Sequence, residues 1–217
     1  MPFPGTKFAA VNDNSMKVLH FYLLLFAVAL AACTGGGDKS AKTPTDIAYE
    51  NIMTRTSIRQ FTDRSVSRGA VDSLLHAAMA APTAANKQPW HFMVIDRREM
   101  LDSIAAQAPG WAPVGRAQLA ILVCGNLDRT LDGEGAGFWV QDCAAVSENI
   151  LLAAHAMGLG AVWCGAYPVK ERTDFLNSYL LLPDAIEPMS LIAIGYPAEH
   201  PAPKNKFDST AINYNQW

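Results

Sequence analysis

The hydropathy pattern predicts one domain of mixed helices and strands, four strands separated by helices. Three observations carry this. Short apolar runs bounded by Gly, Pro or charged residues recur at 91–95, 117–124, 161–166 and 189–195. Val71, Leu74, Leu75 and Ala78 fall at i, i+3, i+4 and i+7, an amphipathic helical spacing. Phe138 to Met157 is apolar nearly all round, which requires a helix buried on several sides. The chain has 217 residues, is 50% hydrophobic and 17% charged, and carries a formal net charge of −3. That apolar share builds a core and excludes wholesale disorder. With 17 basic against 20 acidic residues there is no electrostatic footprint for nucleic acid.

In chain order, Ile47 to Phe61 reads as a helix that ends in an extended turn. The helix around Val71–Ala78 has Ser67 as its cap and Pro82 as its stop. His91–Ile95 is a strand, Asp96–Gln107 a helix broken by Pro109-Gly110, and Ala117–Cys124 a strand apolar on both faces and so central. The long helix to Met157 is terminated by Gly158 and Gly160. Ala161–Ala166 is a third strand, Val169–Leu182 a helix ended by Pro183, and Met189–Gly195 the fourth strand. Tyr196–Trp217 is a polar, proline-containing tail with Ile212, Tyr214 and Trp217 near its end.

Several chemistries lack their residues. Gly133-Glu134-Gly135-Ala136-Gly137 has the spacing GxGxG and lies well past the second strand, so it reads as a mobile loop and not as a dinucleotide turn. There is no GxSxG elbow and no P-loop. His76, His91 and His155 have no acidic partner at ligand spacing, and no metal site is expected. Cys124, Cys143 and Cys164 are too irregularly spaced for a disulfide framework, although one pair among them remains open.

What remains points to an anion and a flat ring. Arg55, Thr56, Ser57 and Arg59 form one basic cluster, and Lys204 and Lys206 another. In extended chain, residues i and i+2 project to one side, so each pair can converge on a phosphate, with guanidinium forks and the Ser57 hydroxyl as donors. Arg55 and Arg59 share a face if helical as well. The stiff connection Ala81–Trp90 presents Asn86 and Gln88, whose amides donate and accept at once and suit a heterocycle edge; an Asx turn held by Asn86 is the alternative. Around Trp163, Cys164 and Gly165 the missing side chain at Gly165 lets a flat ring approach the backbone.

The N-terminus has a separate logic. Lys17 precedes an unbroken apolar run from Phe21 to Ala32, short of the roughly 20 residues that span a bilayer and right for a signal peptide. Leu30-Ala31-Ala32-Cys33 resembles the lipobox of bacterial lipoproteins, in which the chain is cut before a Cys that then carries lipid. This implies a signal segment over 1–32 with Met16 as the expected start, a lipid-anchored flexible tether over 33–46, and a folded domain over 47–217.

Taken in order, RTSIRQF, APTAANKQPWHF, GLGAVWCGAYP, IAIGYPAEHPAPKNKF and the closing NYNQW resemble the FMN-dependent nitroreductase superfamily, in its compact branch, across the whole folded part. The resemblance implies an α+β fold with a mostly antiparallel four-stranded sheet flanked by helices, and an intertwined homodimer with FMN in the interface. By the same likeness Arg55, Thr56, Ser57, Arg59, Lys204 and Lys206 hold the FMN phosphate. Lys206 stands where the family usually has Arg, which keeps the charge and loses the fork. Asn86 and Gln88 meet the polar ring edge, and Trp163, Cys164 and Gly165 lie along the ring, with Cys164 expected to pack and not to react. The implied activity is two-electron, ping-pong reduction of nitroaromatics, quinones or similar flat acceptors, with chemistry borne by the flavin. The donor is NAD(P)H or a membrane carrier, since an anchored domain in the bacterial cell envelope meets little nicotinamide. A flavin-binding envelope lipoprotein without turnover is the alternative.

Overall fold

Strand β2 (Leu119–Asn126) is buried over seven of its eight residues, and the sheet is built around it. The computed structural model describes residues 42–217; the expected signal segment, Cys33 and most of the tether lie outside the described residues. Pro44–Trp217 form one unit. The remaining strands are β1 (Trp90–Ile95), β3 (Gly160–Gly165) and β4 (Ile186–Gly195), and the order across the sheet is β1-β2-β4-β3 with every neighbour antiparallel. The helices are α1 (Pro44–Thr54), α2 (Arg68–Met79), α3 (Arg98–Ala105), α4 (Trp139–Ala156) and α5 (Lys170–Leu180). This is the α+β arrangement implied by the resemblance.

Alternation along the strands sorts the core into two layers. Ile121, Val123, Ile192 and Ile194 pack with α2 and α4 on one face. Ala120, Leu122, Leu191 and Ala193 pack with α3, α5 and the 3-10 turns at 109–116 on the other. Both faces of the central strands are therefore covered, which is why β2 reads as a continuous apolar run although its neighbours are antiparallel. The register between β2 and β4 slips between Val123 and Cys124, a bulge that places Pro188 beside Cys124, outside the span where β4 also pairs with β3.

Local sequence explains the helix ends. The Ser67 hydroxyl accepts from Ala70 N at 3.2 Å and caps α2. Gly158 adopts φ +71° just past α4, the left-handed conformation that ends helices. Gly160 does not share that role; it is the first residue of β3. The segment 133–138 is a 3-10 helix and not the expected loop. Helix α1 begins at Pro44 and stops at Thr54, so residues 55–61 run free of helix. Among the described residues no helix is long and apolar enough to cross a membrane.

Cys124, Cys143 and Cys164 are all buried and all free, so no disulfide joins them. The Cys143 thiol donates to Cys124 O at 3.4 Å. Burial pushes the Cys143 thiol up to about 12 and the Cys164 thiol up to about 11, and raises Cys124 as well. The unfolded chain ionises these thiols near pH 9, whereas the folded chain keeps them protonated, so stability is full below that value and falls as pH climbs through 9 toward 11 and 12. We expect the urea midpoint to drop between about pH 8 and pH 10, and the three thiols to resist alkylation at about pH 8 until urea is added, read by peptide mass mapping. Rapid native alkylation of Cys164 would contradict its placement in the core.

Candidate functional site

Residues 55–62 leave α1 and run along the ends of β3 and β4. Ile58 N donates to Ala161 O at 3.0 Å, Thr62 N donates to Tyr196 O at 2.9 Å, and Ala198 N donates to Gln60 O at 2.9 Å, with Phe61 bridged to Pro197. Ile58 is buried directly over Gly160, where an added Cβ would stand 2.7 Å from its Cγ2. Past β4, Pro197, Pro201 and Pro203 stiffen the chain that carries Lys204 and Lys206.

These two segments enclose a cleft of about 660 Å³. Arg55, Thr56, Ser57, Arg59, Lys204 and Lys206 all line it, so the six residues expected to form one anion site come together. Tyr49, Ile52 and Met53 of α1 and Phe207 of the tail supply apolar walls. The Arg55 side chain is only 17% exposed; its Nε lies 3.6 Å from Glu148 Oε1, and its Nη1 is buried with no hydrogen-bond partner. A guanidinium that lines a basic cleft and keeps one buried nitrogen without a partner fits an anionic ligand. Arg59 Nη1 makes one long bond, to Ser57 O at 3.4 Å, and among the described residues neither lysine is ion-paired.

The amide loop is held in a costly conformation. Ala85, Asn86 and Gln88 have φ of +48°, +56° and +50°, each worth on the order of 1–3 kcal/mol of strain. Asp142, buried in the first turn of α4, offsets this: Thr83 Oγ1 donates to its Oδ2 and Ala84 N to its Oδ1, both at 3.0 Å, while Gln88 N donates to Thr83 Oγ1 at 3.0 Å. Gln88 Nε2 donates to Asn86 Oδ1 at 3.0 Å, so Asn86 is engaged by a side chain and not in an Asx turn. The pair still presents Asn86 Nδ2 as donor and Gln88 Oε1 as acceptor.

On β3, Trp163 packs toward the α2–α4 layer and Cys164 toward the opposite layer. A ligand on the Trp163 face meets Cys164 through its backbone alone. The nearest atom to a Cβ built on Gly165 is Trp163 Nε1 at 4.0 Å, so the position is open. Gly165 O is fixed by Trp111 Nε1 at 3.0 Å and Arg172 Nη1 at 2.8 Å. Burial outweighs the opposing influence of the Arg59 and Arg172 guanidinium groups on Cys164 and keeps its thiol protonated.

Asn86, Gln88, Trp163, Cys164 and Gly165 do not line the basic cleft of their own chain. Sequence reasoning missed Glu199, Asp142 and the apolar wall from α1. Asp142 had a visible signal, as an acid in the first turn of a mostly apolar helix; Glu199 had none beyond its place between prolines.

The nitroreductase family profile matches residues 52–127 and 111–196. A protein of Methanothermobacter thermautotrophicus, provisionally named NADH dehydrogenase/NAD(P)H nitroreductase, is 45% identical over 168 residues, covering 77% of this chain and 86% of the relative. An FMN reductase [NAD(P)H] of Bacillus subtilis is 25% identical over 182 residues, covering 77% of this chain and 72% of its own. The crystal structure of a Bacteroides thetaiotaomicron protein with the same provisional name as the first relative aligns with a TM-score of 0.74 at 41% identity, over 78% of this chain and 98% of that one.

Gly160 tests the placement of the basic segment. Gly160→Ala forces Ile58 and the chain beside it to shift, an overpacking cost of about 1–3 kcal/mol. A thermal melt should show Tm lowered by several degrees; an unchanged Tm would mean that residues 55–61 are not seated on β3.

Proposed function

The chain belongs to the nitroreductase family, and from that premise we propose that it is an FMN-dependent oxidoreductase acting as a homodimer. The observation that carries the reading is the cleft shared by Arg55, Ser57, Arg59, Lys204 and Lys206, with Arg55 Nη1 buried and unpartnered. These residues fit an FMN phosphate. Arg55 and Arg59 supply planar forks, Lys204 and Lys206 point charges, and Ser57 and Thr56 hydroxyl donors. Asn86 and Gln88 bind the polar edge of the ring, held there by Asp142. Gly165 leaves room for a flat group, and Trp163 offers it an aromatic neighbour.

Bound FMN supplies two-electron chemistry, from NAD(P)H or a membrane carrier to a nitroaromatic, quinone or similar flat acceptor in alternating half-reactions. The surrounding cations and N–H dipoles favour negative charge on the bound group. None of the site residues is assigned as a proton donor or acceptor. That Asn86 and Gln88 stand outside their own chain's basic cleft supports a site completed by two chains. Exposed Phe207, Ile212, Tyr214 and Trp217 on the tail, and Ile47, Tyr49, Ile52 and Met53 on α1, give such a dimer apolar surface to bury.

Purified protein should be yellow, dimeric on a sizing column, and should oxidise NAD(P)H or a quinol with a flat acceptor present. Arg55→Ala and Lys204→Ala should each weaken FMN binding about tenfold or more, as loss of a charge-assisted hydrogen bond requires. Undiminished affinity in both variants by equilibrium titration would remove the phosphate assignment.

We also propose a lipid anchor at Cys33 in the bacterial cell envelope, supported by the apolar run from Phe21 to Ala32 and by Leu30-Ala31-Ala32-Cys33 alone. Mass measurement of the N-terminal peptide after membrane fractionation should find a chain that begins at a lipidated Cys33. An unprocessed chain in the cytosolic fraction would defeat the anchor and leave the enzyme assignment standing.

A further inference from the structure

Among the residues that line the basic cleft, Glu199 is the one acid. A carboxylate beside four cations in an anion site should cancel charge and weaken binding. Its geometry says otherwise. Glu199 Oε1 accepts from the backbone N–H of Arg59 and, at 3.1 Å, from that of Gln60. Among the described residues it makes no ion pair.

The backbone around it explains the arrangement. The pairing of 60–62 with 196–198 runs through Thr62 N to Tyr196 O, the Phe61–Pro197 bridge and Ala198 N to Gln60 O. A continued antiparallel ladder would have Gln60 N donate to Ala198 O. It donates to the Glu199 side chain, which also takes the next amide, Arg59 N. Glu199 thus closes the ladder where the two segments diverge to present arginines on one side and lysines on the other.

We infer that Glu199 is a positioning residue for the phosphate site: it holds the arginine segment 55–59 in register with the lysine segment 204–206, and so raises affinity for the phosphate despite its charge. This rests on the reading of the cleft as an FMN phosphate site. Full-length protein freed of flavin is titrated with FMN and with riboflavin, which lacks the phosphate, for the parent, Glu199→Ala and Glu199→Gln. Glu199→Ala should lose about tenfold or more in FMN affinity, the scale of a lost bond to a charged group, and keep its riboflavin affinity. Glu199→Gln retains a carbonyl acceptor and sheds the charge, and should bind FMN at least as tightly as the parent. FMN binding by Glu199→Ala as tight as the parent's, equal losses for FMN and riboflavin, or a loss in Glu199→Gln as large as in Glu199→Ala each overturn the inference. Should Glu199→Ala not fold, Glu199→Asp decides: it keeps the charge and withdraws the acceptor by one methylene, so it should bind FMN more weakly than the parent, whereas parent-like binding overturns the inference. A parent that binds FMN no better than riboflavin would instead sink the phosphate reading itself.

Discussion

Four cations gathered around one cleft repel one another, and the pairing of residues 58–62 with Ala161 and Tyr196–Ala198 is what holds them together. Near a protein surface two like charges about 4 Å apart repel by about 4 kcal/mol, and the repulsion falls with distance. A backbone hydrogen bond contributes a net 0.5–1.5 kcal/mol, roughly. Three such bonds, the burial of Ile58 and the packing of Phe61 against Gly195 act against that repulsion and fix the backbone that lines the cleft. Because the arginines and lysines lie about 150 residues apart in the chain, the whole sheet serves to bring them into register.

A second constraint is set by the buried carboxylate of Asp142. Three non-glycine residues in the left-handed region would relax if nothing held them, and Asp142 with Thr83 supplies the bonds that do. The strain falls at Asn86 and Gln88, the residues assigned to the ring edge, where a fixed donor and acceptor are worth more than a relaxed backbone.

Much of this was legible in the sequence, and what was legible is local. Helical spacing at Val71–Ala78, the Ser67 cap, the four apolar runs and the paired cations depend on neighbours within a few residues, and each corresponds to an observed element or to the cleft lining. Strand direction was not readable from the pattern: the continuous apolar run of β2 is what a parallel strand also shows, and only the motif resemblance implied the antiparallel sheet. Gly160 misleads because a glycine after a helix suggests a terminator, whereas its use is the close approach of Ile58 from a segment about 100 residues away. Positive φ at Ala85, Asn86 and Gln88, and the role of Glu199, likewise arise from long-range contacts that no window of sequence contains.

Helix α1 buries none of its eleven residues and is tied to the core by Asn51 Nδ2 to Leu152 O at 3.1 Å and by Thr54 Oγ1 against His155 Nε2 at 2.9 Å. At that length an isolated helix is marginal in water. It draws its order from what packs on it, and it forms one wall of the cleft and leads directly into Arg55. In the proposed dimer the partner chain would supply the burial that α1 lacks in one chain, so assembly and the shape of the cleft would be coupled through this helix.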